Sequence, residues 1–255
     1  MSIETHMDSF AKDGPFPDSL EARPVGESRP SNMLWDVSAL KDFGIVARDG
    51  VLGKVSDVLF EDDTWQVRWL VVDIGTWLSP RKVLVHRSDL GTPVIATRLF
   101  PVNLAKRDIE HSHDASADLP VSQQPTQGIP PQSSQVGAAL VGQKGDGHLR
   151  SANTLIGYHI QARDGEIGHL ADFVVDDGAW RIRYLQVDTR NWLPARKVLL
   201  TPGAVVGIEW MNHVIDIDAT RRQIEDSPPL HTALTIDRAY EEIFHAYYGW
   251  TGYWM

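Results

Sequence analysis

The chain has 255 residues, with 34 acidic and 24 basic side chains, a formal net charge of -10 and no cysteine. Its acidity, relieved only by isolated basic pairs such as Lys106-Arg107 and Arg221-Arg222, argues against a nucleic acid or an anionic lipid surface as partner. Without cysteine, disulfides, thiolate metal sites and thiol nucleophiles are excluded.

Residues 1–32 mix Pro, Gly, Ser and charges and contain no apolar core of a signal peptide. They are expected to form a disordered tail. No apolar run approaches the ~20 residues of a membrane-spanning helix, so the expectation is a cytoplasmic chain with no direct membrane span. An ordered unit is expected over 33–112. It opens with an apolar stretch leading into Arg48-Asp49-Gly50, a strong signal for a tight hairpin turn. Leu52, Val55, Val58 and Phe60 then read as a strand in which Gly53 marks a bulge or corner. Asp62-Asp63 marks a second turn. The clearest strand runs from Trp65 to Asp73, with Arg68, Leu70 and Val72 on one face and Trp65, Val67, Trp69 and Val71 on the other. Both faces are apolar, so both are expected to be covered. Further strands are expected at Val83–Val85 and Val94–Leu99.

Residues 113–147 are rich in Gln, Pro, Ser and Gly and read as a flexible linker. Beyond it the first unit recurs. At an offset of 115, 18 of the 38 positions from 47 to 84 are identical without a gap. The second unit therefore spans 148–228, with strands matched to those of the first and a last one at Val214–Ile217. The invariant structural positions are Gly50, Gly53, Asp57, Arg68 and Asp73, matched by Gly165, Gly168, Asp172, Arg183 and Asp188. Short, evenly spaced strands with turn chemistry between them predict an all-β protein made of two small barrels in tandem. The two are expected to associate through the apolar second faces of 65–73 and 180–188, with Trp180, Ile182 and Tyr184 in a pseudo-two-fold pairing. Residues 229–255 are expected to add a C-terminal helix and an aromatic tail. The helix spans Thr235 to Tyr248, with Asp237 in its first turn, Gly249 as its stop, and Ile236, Tyr240, Ile243, Phe244 and Tyr247 on its apolar stripe.

Three repeated patterns resemble the PRC-barrel family, the β-barrel module of the photosynthetic reaction-centre H subunit and of ribosome-maturation factors. They are Arg-Asp-Gly followed by Leu/Ile-Gly and Asp (48–57, 163–172), Arg-Trp/Tyr-Leu-x-Val-Asp (68–73, 183–188) and Trp-Leu-x-x-Arg-Lys-Val-Leu (77–84, 192–199). The aromatic C-terminus, 240–254, resembles the tail of stand-alone bacterial members. The resemblance implies a fold and a habit of binding proteins, not a reaction. It carries an association with photosynthetic light-reaction complexes, but the membrane helix of the H subunit and the N-terminal domain of the maturation factors have no counterpart here.

No nucleophile triad, phosphate loop or dinucleotide fingerprint is present, so no catalytic, cofactor-binding or metal residues are assigned and a non-enzyme is expected. Gly142, Gly145 and Gly147 follow no strand. His111, His113 and Asp114 form the one close histidine cluster; they read as solvated linker residues, since a metal needs several rigidly held ligands. Asp62-Asp63 and Asp176-Asp177 read as turn formers, too short for a calcium loop. The repeated charges Asp57, Arg68, Asp73, Arg81 and Lys82 read as rim pairs tying strand ends. The candidate interaction residues are Trp77, Leu78, Arg81 and Lys82 with Trp192, Leu193, Arg196 and Lys197: an aromatic–aliphatic anchor beside two cations, in a loop between strands. Either these indoles fold back to cap their own barrel's core, or they bind a partner. A protein-binding scaffold is the first functional reading; a small-ligand or ion sensor using the charged rims or the groove between barrels is the second.

Overall fold

The computed structural model describes residues 33–76, 78–124, 146–189, 197–228, 230 and 236–254. The expected tail, the middle of the expected linker (125–145) and Trp77, Trp192, Leu193 and Arg196 lie outside these.

Repeat one contains β1 (Leu34–Asp36), α1 (Val37–Leu40), β2 (Gly44–Ala47), β3 (Gly50–Glu61), β4 (Val67–Asp73), β5 (Lys82–His86), β6 (Leu99–Pro101) and α2 (Lys106–Glu110). Repeat two contains β7 (Leu149–Ser151), α3 (Ala152–Leu155), β8 (His159–Ala162), β9 (Gly165–Asp176), β10 (Arg181–Asp188), β11 (Lys197–Leu200), β12 (Val205–Glu209), β13 (Val214–Ile217) and α4 (Arg221–Glu225). α5 (Arg238–Tyr248) follows. The strands form two sheets, ordered β5-β4-β3-β2-β6 and β11-β10-β9-β8-β13-β12. The architecture is thus mostly β, in two barrel-like halves.

The local turn chemistry positions the strands. Ala47 pairs with Gly50 and Ala162 with Gly165 across two-residue turns. Gly50 and Gly165 take φ of 126° and 143°, which a side chain rarely tolerates. Gly53 and Gly168 serve close approach: a Cβ at Gly53 would stand 2.5 Å from the Asp73 carbonyl oxygen, and one at Gly168 would overlap that of Asp188. The corner expected at Gly53 is present, as a register shift between Gly44 and Val46 on the neighbouring strand.

The first strand of each repeat leaves its own sheet. β1 pairs antiparallel with β9, Trp35 opposite Val175, and β7 pairs with β3, Arg150 opposite Phe60. The exchange is reciprocal at the offset of 115. Between the exchanged strands, Gln66 forms a bridge with Arg181. These two positions differ by that same offset, so a local two-fold axis passes between them. One continuous core then runs through both halves; Phe60 and Trp65 of repeat one meet Phe173 of repeat two at centroid distances of 5.1 and 6.5 Å.

The expected alternation along 65–73 breaks at Arg68. Trp69 pairs with Leu59 and Val67 with Phe60, leaving Arg68 as the extra residue of a bulge. Arg183 is the extra residue of the matching bulge in β10. The phase change turns Val67 and Ile182 into the common core, while Trp69 and Val71 stay on the outer face. It also aims both guanidiniums outward, as bulges commonly re-aim a side chain. The outer faces therefore do not meet each other. That of repeat two is covered by α5, with Phe244 against Val174, Tyr184 and Leu199. That of repeat one is covered by Leu149 and Ala115.

Three other expectations change. The segment Val94–Leu99 is a tight loop: Val94 and Leu99 exchange backbone hydrogen bonds and Arg98 takes a left-handed φ of 52°. Residues 113–124, read as the start of the linker, run against repeat one through two 3₁₀ turns, because Asp118 meets Arg68 and the Trp69 indole. α5 begins at Arg238, so Asp237, read into its first turn, is instead its N-cap, while left-handed Gly249 ends it as expected; its buried face is rotated. Ile243 and Tyr247 are 61% and 40% exposed, while Glu241 and His245 are buried with Phe244. The Tyr184 hydroxyl beneath the helix donates to Glu241 Oε1 at 2.7 Å and lies 2.9 Å from His245 Nε2, so polar residues face the sheet.

Candidate functional site

The loop between β4 and β5 continues their ladder outward. Ile74 N–H donates to Arg81 O, and Thr76 and Ser79 exchange backbone hydrogen bonds at 3.0 and 3.1 Å. The described residue at the hairpin tip is Leu78. Asp73 anchors the base by accepting from Gly75 N–H at 3.0 Å. Leu78 at the tip is 73% exposed, among the most exposed large apolar side chains described.

Beside the hairpin opens a cavity of about 500 Å³. Leu52 and Ile74 form its apolar wall; Arg81, Glu110 and His111 supply polar groups. The Arg81 Nη2 donates to Glu110 O at 2.5 Å, and His111 Nδ1 lies 2.7 Å from Arg107 O, so both are held by α2. Lys82 begins β5 opposite Asp73 and is exposed. Three of the four candidate residues in repeat one thus gather at this end of the sheet. In repeat two, Lys197 heads β11, opposite Asp188 and bridged to Leu230. Thr189 and Ile167, which match Ile74 and Leu52, are fully buried. Among the described residues the open cavity is seen in repeat one.

The sequence reading missed Leu52, Ile74, Glu110 and His111 as lining residues. Leu52 and Ile74 read as ordinary strand positions, and only the inequality of Ile74 with Thr189 at the repeat offset signals a difference.

The repeated acidic residues do not form a rim. Asp57 accepts from Ser151 Oγ at 2.6 Å and from Asn153 N at 3.1 Å, and so caps α3 of the other repeat. Asp172 accepts from the Ser38 hydroxyl and backbone N–H in the same way and caps α1. Burial pushes both carboxyls above the ordinary aspartate value. Arg68 joins Glu61, Asp118 and Asp146 at 2.7, 3.1 and 2.5 Å. Arg183 pairs with Asp176 and stacks 3.9 Å over the Tyr253 ring. Asp188 lies 4.0 Å from His169 Nε2. These charges join segments across the fold, and Arg68 with Glu61 also lines an open groove beside Trp69.

Among the described residues, one group brings three metal-ligating atoms within 4.8 Å: Asp62, Asp63 and His148. His111, His113 and Asp114 do not converge in that way. Asp62 is already engaged, by His148 Nδ1 at 2.8 Å and Arg150 Nε at 2.5 Å. Its partner in repeat two, Asp177, accepts from Met33 N and Trp35 Nε1 instead. The position thus anchors the exchanged strand in both copies.

Among the described residues no helix is long and apolar enough to cross a membrane. No curated protein matches the chain. The PRC-barrel domain family matches residues 36–96 and 148–223, which take in α1 and α3, the long strands β3 and β9, and both Trp-Leu sequence motifs. The chain belongs to the PRC-barrel domain family, and carries the domain twice.

Proposed function

We propose that this protein is a non-enzymatic binding scaffold, and that it holds a protein partner at the hairpin end of repeat one. Membership of a family of interaction modules supports the general reading. The observation that carries the specific one is Leu78, largely exposed on the hairpin whose Thr76 and Ser79 line a cavity walled by Leu52 and Ile74 and flanked by Arg81. Exposed apolar anchors beside cations on a rigid sheet are typical of interface centres. In repeat two the positions that match the two apolar wall residues, Ile167 and Thr189, are buried. A place beside a photosynthetic membrane complex is a reading that rests on the family likeness.

The test is affinity capture with the full chain and with the double variant Leu78→Asp, Arg81→Glu. Both positions are exposed, so the melting temperature should stay within the range of ordinary surface changes, about 0.5 kcal/mol. A captured protein should be lost from the double variant. Equal capture by both chains would sink this site, and a thermal shift with a small metabolite but no captured protein would favour a sensor.

A further inference from the structure

The C-terminal helix occurs once, but the face it covers occurs twice. In repeat two, Phe244 of α5 seats on Val174, Tyr184 and Leu199, and Tyr253 lies under Arg183. The same places in repeat one are Leu59, Trp69, Leu84 and Arg68. Here the cover is thinner. Trp69 remains half-buried, its indole N–H donating to Asp118 Oδ2 at 2.7 Å and its ring edge-on to His86 at 5.2 Å.

Beside Trp69 lies an open groove of about 400 Å³, lined also by Glu61, Thr64, Gln66, Arg68, His86 and Arg87; Glu61 and Arg68 are paired with each other at 2.7 Å. It shares no lining residue with the cavity at the hairpin. Arg87 makes no ion pair among the described residues. His86 Nδ1 accepts from Ser88 N–H at 3.3 Å, which leaves Nε2 to carry the proton of the neutral ring. In the copy that covers itself, these two positions are Thr201 and Pro202. Repeat one therefore has an aromatic platform where its twin has one, with a cation, Arg87, and an imidazole donor added where the twin has Pro202 and Thr201.

The geometry points to this groove as the docking site for an acidic, aromatic amphipathic helix presented by a partner protein. The helix would lie on Trp69 as α5 lies on Tyr184, and its carboxylates would meet Arg87 and His86. Helix-in-groove recognition needs this combination of an apolar anchor and flanking complementary charge. The chain's own α5 segment supplies a probe of the right chemistry: residues 236–254 hold Asp237, Glu241 and Glu242 against one arginine, with Phe244 and Tyr248 among the aromatics.

The experiment titrates a fluorescently labelled peptide of residues 236–254 with the full chain and follows anisotropy. Saturable binding is expected, weakened about tenfold or more by Arg87→Glu and by Trp69→Ala in the chain. A peptide carrying Glu241→Lys and Glu242→Lys should lose the same affinity, while Tyr184→Phe in the chain should leave it unchanged. Arg87→Glu alters only the groove rim, so its melting temperature serves as the folding control. The proposal is overturned by no saturable binding up to ~1 mM peptide, by binding indifferent to Arg87→Glu, or by binding that only Tyr184→Phe alters, which would mark exchange into repeat two.

Discussion

Trp65 and Trp180 give their carbonyl oxygens to each other's repeat: Ile182 N–H donates to Trp65 O and Val67 N–H to Trp180 O, both at 2.9 Å. Each takes a left-handed backbone, with φ of 58° and 51°, a conformation that costs a bulky residue free energy and persists only where its surroundings enforce it. The surroundings here are the other half of the molecule. Each indole is buried, Trp65 stacked on Phe60 and Trp180 on Phe100.

The two halves should therefore unfold together. Trp65→Ala should cost on the order of 3–5 kcal/mol, as buried Trp truncations do, and should lower one calorimetric transition shared by both repeats. Two separate transitions, with only repeat one shifted, would contradict the common core.

Asp57 and Asp172 hold the exchange from the other side, and their pH dependence has a definite sign. Burial raises both carboxyls above the ordinary value of 3.8, so in the window just above 3.8 the folded state binds more protons than the unfolded one. Stability from these two groups therefore falls as pH rises through that window. Asp57→Asn keeps an oxygen for the Asn153 N–H and removes the buried charge, so the Asp57→Asn, Asp172→Asn variant should show a flatter stability profile from pH 4 upward. Asp57→Ala loses the cap altogether and should cost about 1–2 kcal/mol. Urea midpoints across pH would measure both.

Features written locally were legible before the structure: the repeat, the Arg-Asp-Gly turns, Gly53 as a corner, and Gly249 as the end of α5. The exchange of β1 and β7 was not, because Leu34 and Leu149 look the same whichever sheet they join; that choice is made by Asp57, Asp172, Asp62 and Asp177 at long range. The bulges at Arg68 and Arg183 were hidden for a related reason. An alternating pattern does not record a residue whose side chain is drawn outward by carboxylates distant in sequence. The stripe on α5 was misplaced because hydropathy ranks Ile243 above Glu241, and only the Tyr184 hydroxyl reverses that order. At the hairpin, Leu78, Arg81 and Lys82 were legible as a loop motif, whereas the cavity wall was not, since Leu52 and Ile74 carry no mark of exposure.

Gly168 is the position where one added methyl should do most harm. Its φ of 138° and the Asp188 carbonyl against the α-carbon both forbid a side chain. At Gly53 the backbone has φ of 70°, closer to what a side chain tolerates, and the obstructing Asp73 oxygen is 2.5 Å away. Gly168→Ala should therefore destabilise more than Gly53→Ala, each by more than the ~1 kcal/mol typical of point changes. Equal melting temperatures would refute the ranking.

Arg68 should matter most in acid. Its guanidinium is the largest cause holding Glu61 below the ordinary value of 4.5, and it also lowers Asp146, after the His148 backbone N–H. Stability from these carboxylates is present above their unfolded values and is lost as pH falls through their lowered ones. Arg68→Ala leaves three carboxylates facing one another and should cost about 2 kcal/mol at pH 7, with the deficit shrinking toward pH 3 as they protonate. A deficit that is constant with pH would mean that Arg68 acts through packing alone.

The contact between Tyr184 and His245 gives the last prediction, for the C-terminal helix. Burial holds the His245 ring below the ordinary histidine value of 6.5, so the folded state resists protonation. In the window just below pH 6.5 the unfolded chain binds the extra proton, and the stability contributed by this group falls as pH falls through it. The groups facing the ring set the size of the effect. Glu241 opposes it by favouring the charged ring, Arg238 adds to it, and the Tyr184 hydroxyl at 2.9 Å remains neutral because burial and Glu241 push its own titration far upward. Glu241 is in turn held by Tyr184, by Tyr253 at 2.8 Å and by Arg238 at 3.0 Å. Tyr184→Phe removes the hydroxyl that joins helix to sheet and leaves the buried Glu241 with fewer donors, which should cost about 1–3 kcal/mol. Loosening should be local at first, because the described contacts of α5 are with repeat two: the outer face of its sheet, Gln223 O through Tyr247 and Pro228 O through Tyr240. Hydrogen exchange should therefore show faster exchange in 238–248 at pH 5.5 than at pH 7.5 once intrinsic rates are removed, and more so in Tyr184→Phe. His245→Phe should abolish the pH dependence while keeping an aromatic ring against Phe244 and Trp254. Protection of 238–248 that is the same at both pH values in the unaltered chain would show that His245 does not couple the helix to pH.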